Sequence, residues 1–271
     1  MFKILIIGAH PDDCETFAGG SAALWKRRGD RVRFLSVTNG NAGHQTIPRE
    51  ELAARRRMEA REAAHVIGVE HEVIDNDDGL LEPTLENRLE MIRQIRTFAP
   101  DLVLTHRPAD YHPDHRYTSI LVQDSAFMVT VPKICPDVPY LAVNPVIAYF
   151  HDDFQKPYPF SADVAVDVDS VMDLKWEMMH AHASQFYEWV PFNEGTAAEV
   201  PAGPESRKEW LKKRWGPLFE SVARKYRPTL EGIYGADRAA RVRYAEAFEI
   251  CEYGTRPSKG QLNRLFPVLP R

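Results

Sequence analysis

The chain has 271 residues, a formal net charge of −5, 44% hydrophobic and 27% charged residues, the balance of an ordinary globular protein. Mild acidity argues against a general nucleic-acid binder, and the absence of any apolar run of about 18 residues argues against a transmembrane helix. The scattered Cys14, Cys135 and Cys251 read as reduced thiols, and the strand-like start, with no charged-then-apolar leader, sets the expectation of a cytoplasmic protein.

Residues 3–7, Lys-Ile-Leu-Ile-Ile, form an apolar run that predicts a fully buried strand, and Ala9-His10-Pro11-Asp12-Asp13 forms the turn beyond it. Phe17, Ser21 and Leu24 fall at helical spacing, with Gly29-Asp30 as the stop. A second strand at 32–37 leads into the polar, glycine-rich loop 38–44. Ala60, Ala63, Ala64 and Ile67 mark the buried face of a long charged helix ending at Gly68. A short strand at 72–74 precedes the acidic loop 75–79, and Leu85, Leu89, Ile92 and Ile95 predict a third helix closed by Pro100. The fourth strand, 101–105, carries His112-Pro113-Asp114-His115 beyond its far end.

This alternation predicts an α/β fold with a Rossmann-like, doubly wound, mostly parallel sheet. Right-handed crossovers align the first three strands, and a fourth strand on the other side of the first would make the two histidine turns face each other across the crevice. Residues 146–150 and 163–168 read as further strands, and Asp169-Ser170 as caps of a helix to about residue 182. Residues 191–204 read as a loop, 209–226 as a helix, and 245–253 as a final strand before a proline-containing tail. The expected organisation is one α/β domain over 1–271, with a core of about 1–185 and a C-terminal helical and loop elaboration of about 186–271 acting as lid or oligomer contact.

Each turn alone would serve as a helix cap; together, on matching ends of core strands, they predict one metal site. Two imidazoles and one carboxylate with an open position suit catalytic Zn²⁺, and the same set suits Fe²⁺. His10 and Asp13 lie three apart in one turn and His115 would complete the set, leaving Asp12 and His112 beside the ion. A carboxylate there can take a proton from activated water, and an imidazole can stabilise an oxyanion or protonate a leaving amine.

These residues, with Glu15 and Gly19-Gly20, resemble the PIG-L/LmbE-like family of metal-dependent de-N-acetylases. Lesser echoes are Arg56 with Glu59, Asp78-Gly79, and Lys175 through His182-Ala183-Ser184-Gln185, so the likeness covers about residues 3–185. The resemblance implies that His10, Asp13 and His115 are zinc ligands, Asp12 the general base, and His112 the oxyanion or acid group with Asp114 orienting. It implies substrate contacts for Arg56, Asp78 and, more distantly, His182. The implied partner is a small N-acetylated amino sugar or its conjugate, without nucleic acid, and relatives' habits suggest a homo-oligomer.

Competing readings are an amidase of the same fold acting on a non-sugar amide or thiol conjugate, and a non-catalytic sugar- or nucleotide-binding module. The first turn lacks the G-x-G-x-x-G phosphate spacing and carries acidic residues instead, which disfavours a dinucleotide site. Residues 186–243 exceed what the core needs and shift the expected substrate away from the family's best-known members.

Overall fold

A computed structural model describes residues 1–268; positions 269–271 of the expected tail lie outside the described residues. The strands are β1 (Lys3–Gly8), β2 (Arg31–Thr38), β3 (Glu70–Asn76), β4 (Leu102–Thr105), β5 (Val146–Phe150), β6 (Val164–Asp167) and β7 (Ala245–Ile250). They form one seven-stranded sheet in the order β3-β2-β1-β4-β5-β7-β6. Pairings among β1 to β5 are parallel, while β7 runs antiparallel to both β5 and β6. The fold is therefore the predicted mostly parallel α/β sheet, and β4 pairs with β1 on the side opposite β2.

Both faces of the sheet's centre are covered, which is why β1, β2, β4 and β5 read as near-continuous apolar runs. Ile4 and Ile6 join the core under α1 (Asp13–Arg27) and α5 (Met172–Ala181), while Leu5 and Ile7 face α3 (Leu85–Phe98) and α4 (Pro113–Met128). Each such fully buried aliphatic side chain contributes about 1.5–3 kcal/mol of transfer free energy. α2 (Arg49–Ile67) ends on Gly68 in the left-handed conformation, as its sequence predicts.

One buried cation secures the far end of α4. Arg96 is 3% exposed, and its guanidinium donates to six backbone carbonyls, those of Met128, Val129, Val131, Ile134, Cys135 and Val138. The guanidinium caps the helix C-terminus, where orphan carbonyls and the dipole favour positive charge. Arg96→Met is expected to lower the unfolding free energy by about 2–4 kcal/mol, because it strands buried acceptors. Urea denaturation checks this as a shifted midpoint at unchanged slope.

The C-terminal elaboration differs most from expectation. A π-helical turn (Ser184–Trp189) runs into α6 (Val190–Asn193), followed by α7 (Pro204–Lys225), α8 (Arg227–Tyr234) and α9 (Ala236–Ala239). Asp169 does not cap a helix with its side chain; it accepts the Arg243 and Tyr244 amides and so ties the start of β7 to the end of β6. The expected tail contains α10 (Lys259–Leu265), opened by a capping box between Ser258 and Gln261. No helix of the described residues is long and apolar enough to cross a membrane.

Candidate metal centre

The first histidine turn begins where β1 leaves the sheet. A Cβ on Gly8 would stand 2.6 Å from Asp13 Cβ, so glycine is what lets α1 start directly over the strand end. The amides of Asp12 and Asp13 donate to His10 O at 2.9 and 3.2 Å, and the His10 amide donates to Asp13 Oδ2 at 2.7 Å. β2 fixes the turn from the side through Ser36 Oγ, which donates to His10 O at 3.0 Å. The second turn is also a helix start, with His112 as N-cap and Pro113 in the first turn of α4. His112 Nδ1 accepts the Asp114 amide at 3.2 Å. A neutral His112 therefore carries its proton on Nε2, where it can be donated.

Because β1 and β4 are neighbours, the two turns meet. His10 Nδ1 lies 3.3 Å from His115 Nε2 and 3.5 Å from Asp13 Oδ2, and the last two are 3.6 Å apart. Tetrahedral zinc with bonds of about 2.0–2.1 Å separates its ligand atoms by about 3.3–3.4 Å. The donor set thus fits one ion. The outer nitrogen of each imidazole faces carboxylates: His10 Nε2 is 3.2 Å from Asp114 Oδ2 and 3.3 Å from Asp78 Oδ1, and His115 Nδ1 is 3.1 Å from Asp110 Oδ2. The hydrogen bond to Asp114 fixes the His10 tautomer that leaves Nδ1 free for a metal. Other groupings also come close enough to hold an ion: His10 with His112 and His115, Asp13 with His106 and His115, and His10 with Asp78, His112 and Asp114.

His106, one residue past β4, has no counterpart among the sequence expectations. Its Nε2 accepts the Ala9 amide at 3.1 Å and lies 3.2 Å from Asp13 Oδ2, while its ring stacks on His115 at 4.0 Å. Burial and the neighbouring His115 push it down to about 4, so it is neutral near neutrality. Phe17, one turn after Asp13, presents its ring edge-on to His106 and His115 and stacks on Phe150.

The adjacent carboxylates Asp12 and Asp13 are driven apart electrostatically. Burial would raise Asp13, but His115, His106 and His10 hold it well below the usual carboxylate range. Burial raises Asp12, against the opposing charge of Arg56. Arg56 Nη2 donates to Asp12 Oδ1 at 2.8 Å, and Nη1 donates to Gly40 O and lies 3.5 Å from Asp78 Oδ2. Gly40, at φ +71°, has no Cβ to collide with the guanidinium, which would lie 2.5 Å away. Arg56 and Asp78 thus lie beside the site, with Arg56 only 2% exposed and bonded to the catalytic candidate.

Two expectations need correction. Asp114 does not orient His112 with its carboxylate; Oδ2 faces His10 and accepts the Gly79 amide at 2.7 Å, and it is the Asp114 amide that donates to His112 Nδ1. His182 does not line the cleft. It is fully buried behind the metal turn, with Nε2 3.4 Å from Glu15 Oε1, and His71 holds the same carboxylate oxygen at 3.2 Å. Those imidazoles keep Glu15 ionised in a fully buried setting despite its desolvation.

The centre opens into one cleft of about 550 Å³. One wall carries Asp12, Arg56, Asp78 and His112; the other comes from the π-helical turn, α6, α7 and β7. At its floor, buried Lys175 and Glu246 pair at 2.6 Å, and Glu246 also accepts the Gly20 and Ser21 amides of α1.

The sequence matches the PIG-L family, described as GlcNAc-PI de-N-acetylase, over residues 5–126. The diacetylchitobiose deacetylase of Thermococcus kodakarensis is 30% identical over 205 residues, covering 70% of this chain and 74% of that protein. The 4-oxalmesaconate hydratase of Pseudomonas putida is 24% identical over 193 residues, covering 68% of this chain and 74% of that protein. The solved N,N'-diacetylchitobiose deacetylase from Pyrococcus horikoshii superposes with a TM-score of 0.70 at 26% identity, over 93% of this chain and 84% of that one.

Proposed function

Since this chain belongs to the PIG-L family of de-N-acetylases, we propose that it is a metal-dependent hydrolase removing an acetyl group from an N-acetylated amino sugar or its conjugate. The observation that carries the reading is the convergence of His10 Nδ1, Asp13 Oδ2 and His115 Nε2 within 3.6 Å at the end of an open cleft. These three residues would hold Zn²⁺, or Fe²⁺, which when bound supplies Lewis acidity and lowers the pKa of water.

The remaining groups have complementary work. Arg56 occupies Asp12 Oδ1, so Oδ2 is the oxygen left to accept the proton of the attacking water. The proton taken by Asp12 is the one the departing amine requires. Burial keeps the Asp12 carboxyl more basic than an exposed one, closer to the ideal for a general base near neutral pH. His112, with its proton on Nε2, donates to the carbonyl oxygen as negative charge develops there. We read Arg56 and Asp78, both of which line the cleft, as the groups that meet sugar hydroxyls.

A metal-loaded preparation should release amine from N-acetylglucosamine, diacetylchitobiose or a related N-acetyl conjugate, read with an amine-reactive dye. Release from a thiol conjugate alone would move the substrate to another amide within the same chemistry. Stoichiometric metal with no amine from any amide would sink the reading and favour water addition, the activity carried in the name of the hydratase relative.

A further inference from the structure

We propose that the cleft wall opposite the metal turns is a subsite for an alkyl or aryl group carried by the substrate. The proposal deepens the deacetylase reading and rests on it for the identity of the reacting amide. Seven cleft-lining residues fall between positions 186 and 222, among them Phe186, Trp189, Val190, Trp215 and Leu218, and none bears a charge, a hydroxyl or an amide. The wall is also assembled from separate elements that converge: Phe186 of the π-helical turn packs edge-to-face on Trp215 of α7 at 5.2 Å. The ammonium that touches it is neutralised, since Lys175 Nζ, 3.9 Å from the Phe219 ring centroid, is held by Glu246 and by Thr16 O.

The apolar surface continues to the rim. Leu218 is 39% exposed, and Trp189 stacks at 6.0 Å on Phe192, itself 50% exposed. Apolar surface left in water beside a reactive centre marks a place where a ligand removes it from water. A bare N-acetylhexosamine presents hydroxyls on every edge and finds its partners on the Arg56 and Asp78 wall. Sugar stacking on a tryptophan needs flanking hydrogen-bond partners, and beyond the indole N–H groups this wall offers few: the Gln185 amide nitrogen, on the same turn, is already held by Gly43 O and Ser184 Oγ. An alkyl or aryl group needs none. It can belong to the aglycone or to the acyl chain, and the cleft admits either beside the amide.

The zinc-loaded protein should be assayed with methyl and octyl glycosides of N-acetylglucosamine, and with N-acetyl- against N-octanoylglucosamine. Binding of octyl and methyl β-glucoside, which contain no amide, should be measured by calorimetry below the micellar range. The octyl aglycone or the octanoyl amide should raise kcat/KM about ten- to a hundredfold, the surplus left from burying methylenes once ordering costs are met. Whichever substrate gains identifies the source. Leu218→Asp on α7 and Trp189→Ala on the π-helical turn should each cut the octyl-to-methyl ratio several-fold, an internal comparison that a general loss of active protein does not move.

Hydrolysis of N-acetylglucosamine with no chain-length gain, and no tighter binding of octyl β-glucoside, overturns the subsite and leaves the deacetylase reading standing. Tighter octyl β-glucoside binding without amine release from any substrate supports the subsite and overturns the deacetylase reading. An octyl advantage untouched in both folded variants places the chain elsewhere and overturns this wall.

Discussion

Asp12→Asn is expected to lower kcat by about 10²–10⁴-fold, the usual worth of a positioned general base, while metal content stays at the wild-type level. Asparagine keeps the shape of the side chain and an oxygen for Arg56, whose Nη2 donates to Asp12 Oδ1 at 2.8 Å. What it removes is the capacity to accept a proton. The metal is expected to survive because the three mutually adjacent donors come from His10, Asp13 and His115, not from Asp12. A second readout is the acid limb of the kcat profile. Burial raises the Asp12 carboxyl from its ordinary value, against the opposing Arg56 charge, so activity should fall as pH drops through that raised value, and the residual activity of Asp12→Asn should lack the limb. Elemental analysis beside steady-state kinetics checks both. Metal lost together with activity would transfer Asp12 to the ligand set and leave the base unassigned.

The parts of the fold that were legible are those where one physical requirement dominates. β1, β2 and β4 are buried on both faces and so announce themselves as apolar runs. The two histidine turns were legible for a related reason: a strand end that must cap a helix and also present polar groups leaves few residue choices. Other features depend on partners far along the chain. The antiparallel entry of β7 between β5 and β6 has no local signature, because pairing direction is set by the long excursion through α5 to α9. α10 was hidden among prolines, although the spacing of Ser258 and Gln261 is that of a capping box. His106 stands alone after β4 without a second chemical residue at a telling spacing; its place one residue past a strand that ends at the crevice is the signal that would have found it. His182 failed in the opposite way. A histidine in a suggestive stretch, at the end of α5, it is directed by packing to the buried Glu15 and away from the cleft.

His115→Ala is expected to abolish activity by emptying the centre, and its contrast with Asp114→Asn separates a ligand from a group that tunes one. Removing His115 takes away one of three donors, so metal affinity should fall by more than the roughly 10–100-fold that follows loss of an outer-shell partner. Asp114→Asn should fall within that range. Its carboxylate lies 3.2 Å from His10 Nε2 and favours the tautomer in which Nδ1 keeps its lone pair for the ion. Asp78, at 3.3 Å from the same nitrogen, supplies part of that preference when Asp114 is neutralised, which limits the loss. His106→Ala is the third arm. Its Nε2 lone pair is engaged by the Ala9 amide, so this change should disturb packing around His115 and leave the metal bound. Competition against a chelator of known affinity ranks the three. The order His115→Ala, then Asp114→Asn, then His106→Ala supports the His10, Asp13 and His115 set. Stoichiometric metal in His115→Ala would overturn that set and select the grouping that does without His115, formed by His10, Asp78, His112 and Asp114; Asp114→Asn should then show the larger loss. Losses in His106→Ala equal to those in His115→Ala would instead select the combination of both with Asp13, and would require His106 to surrender the Ala9 amide when the ion binds.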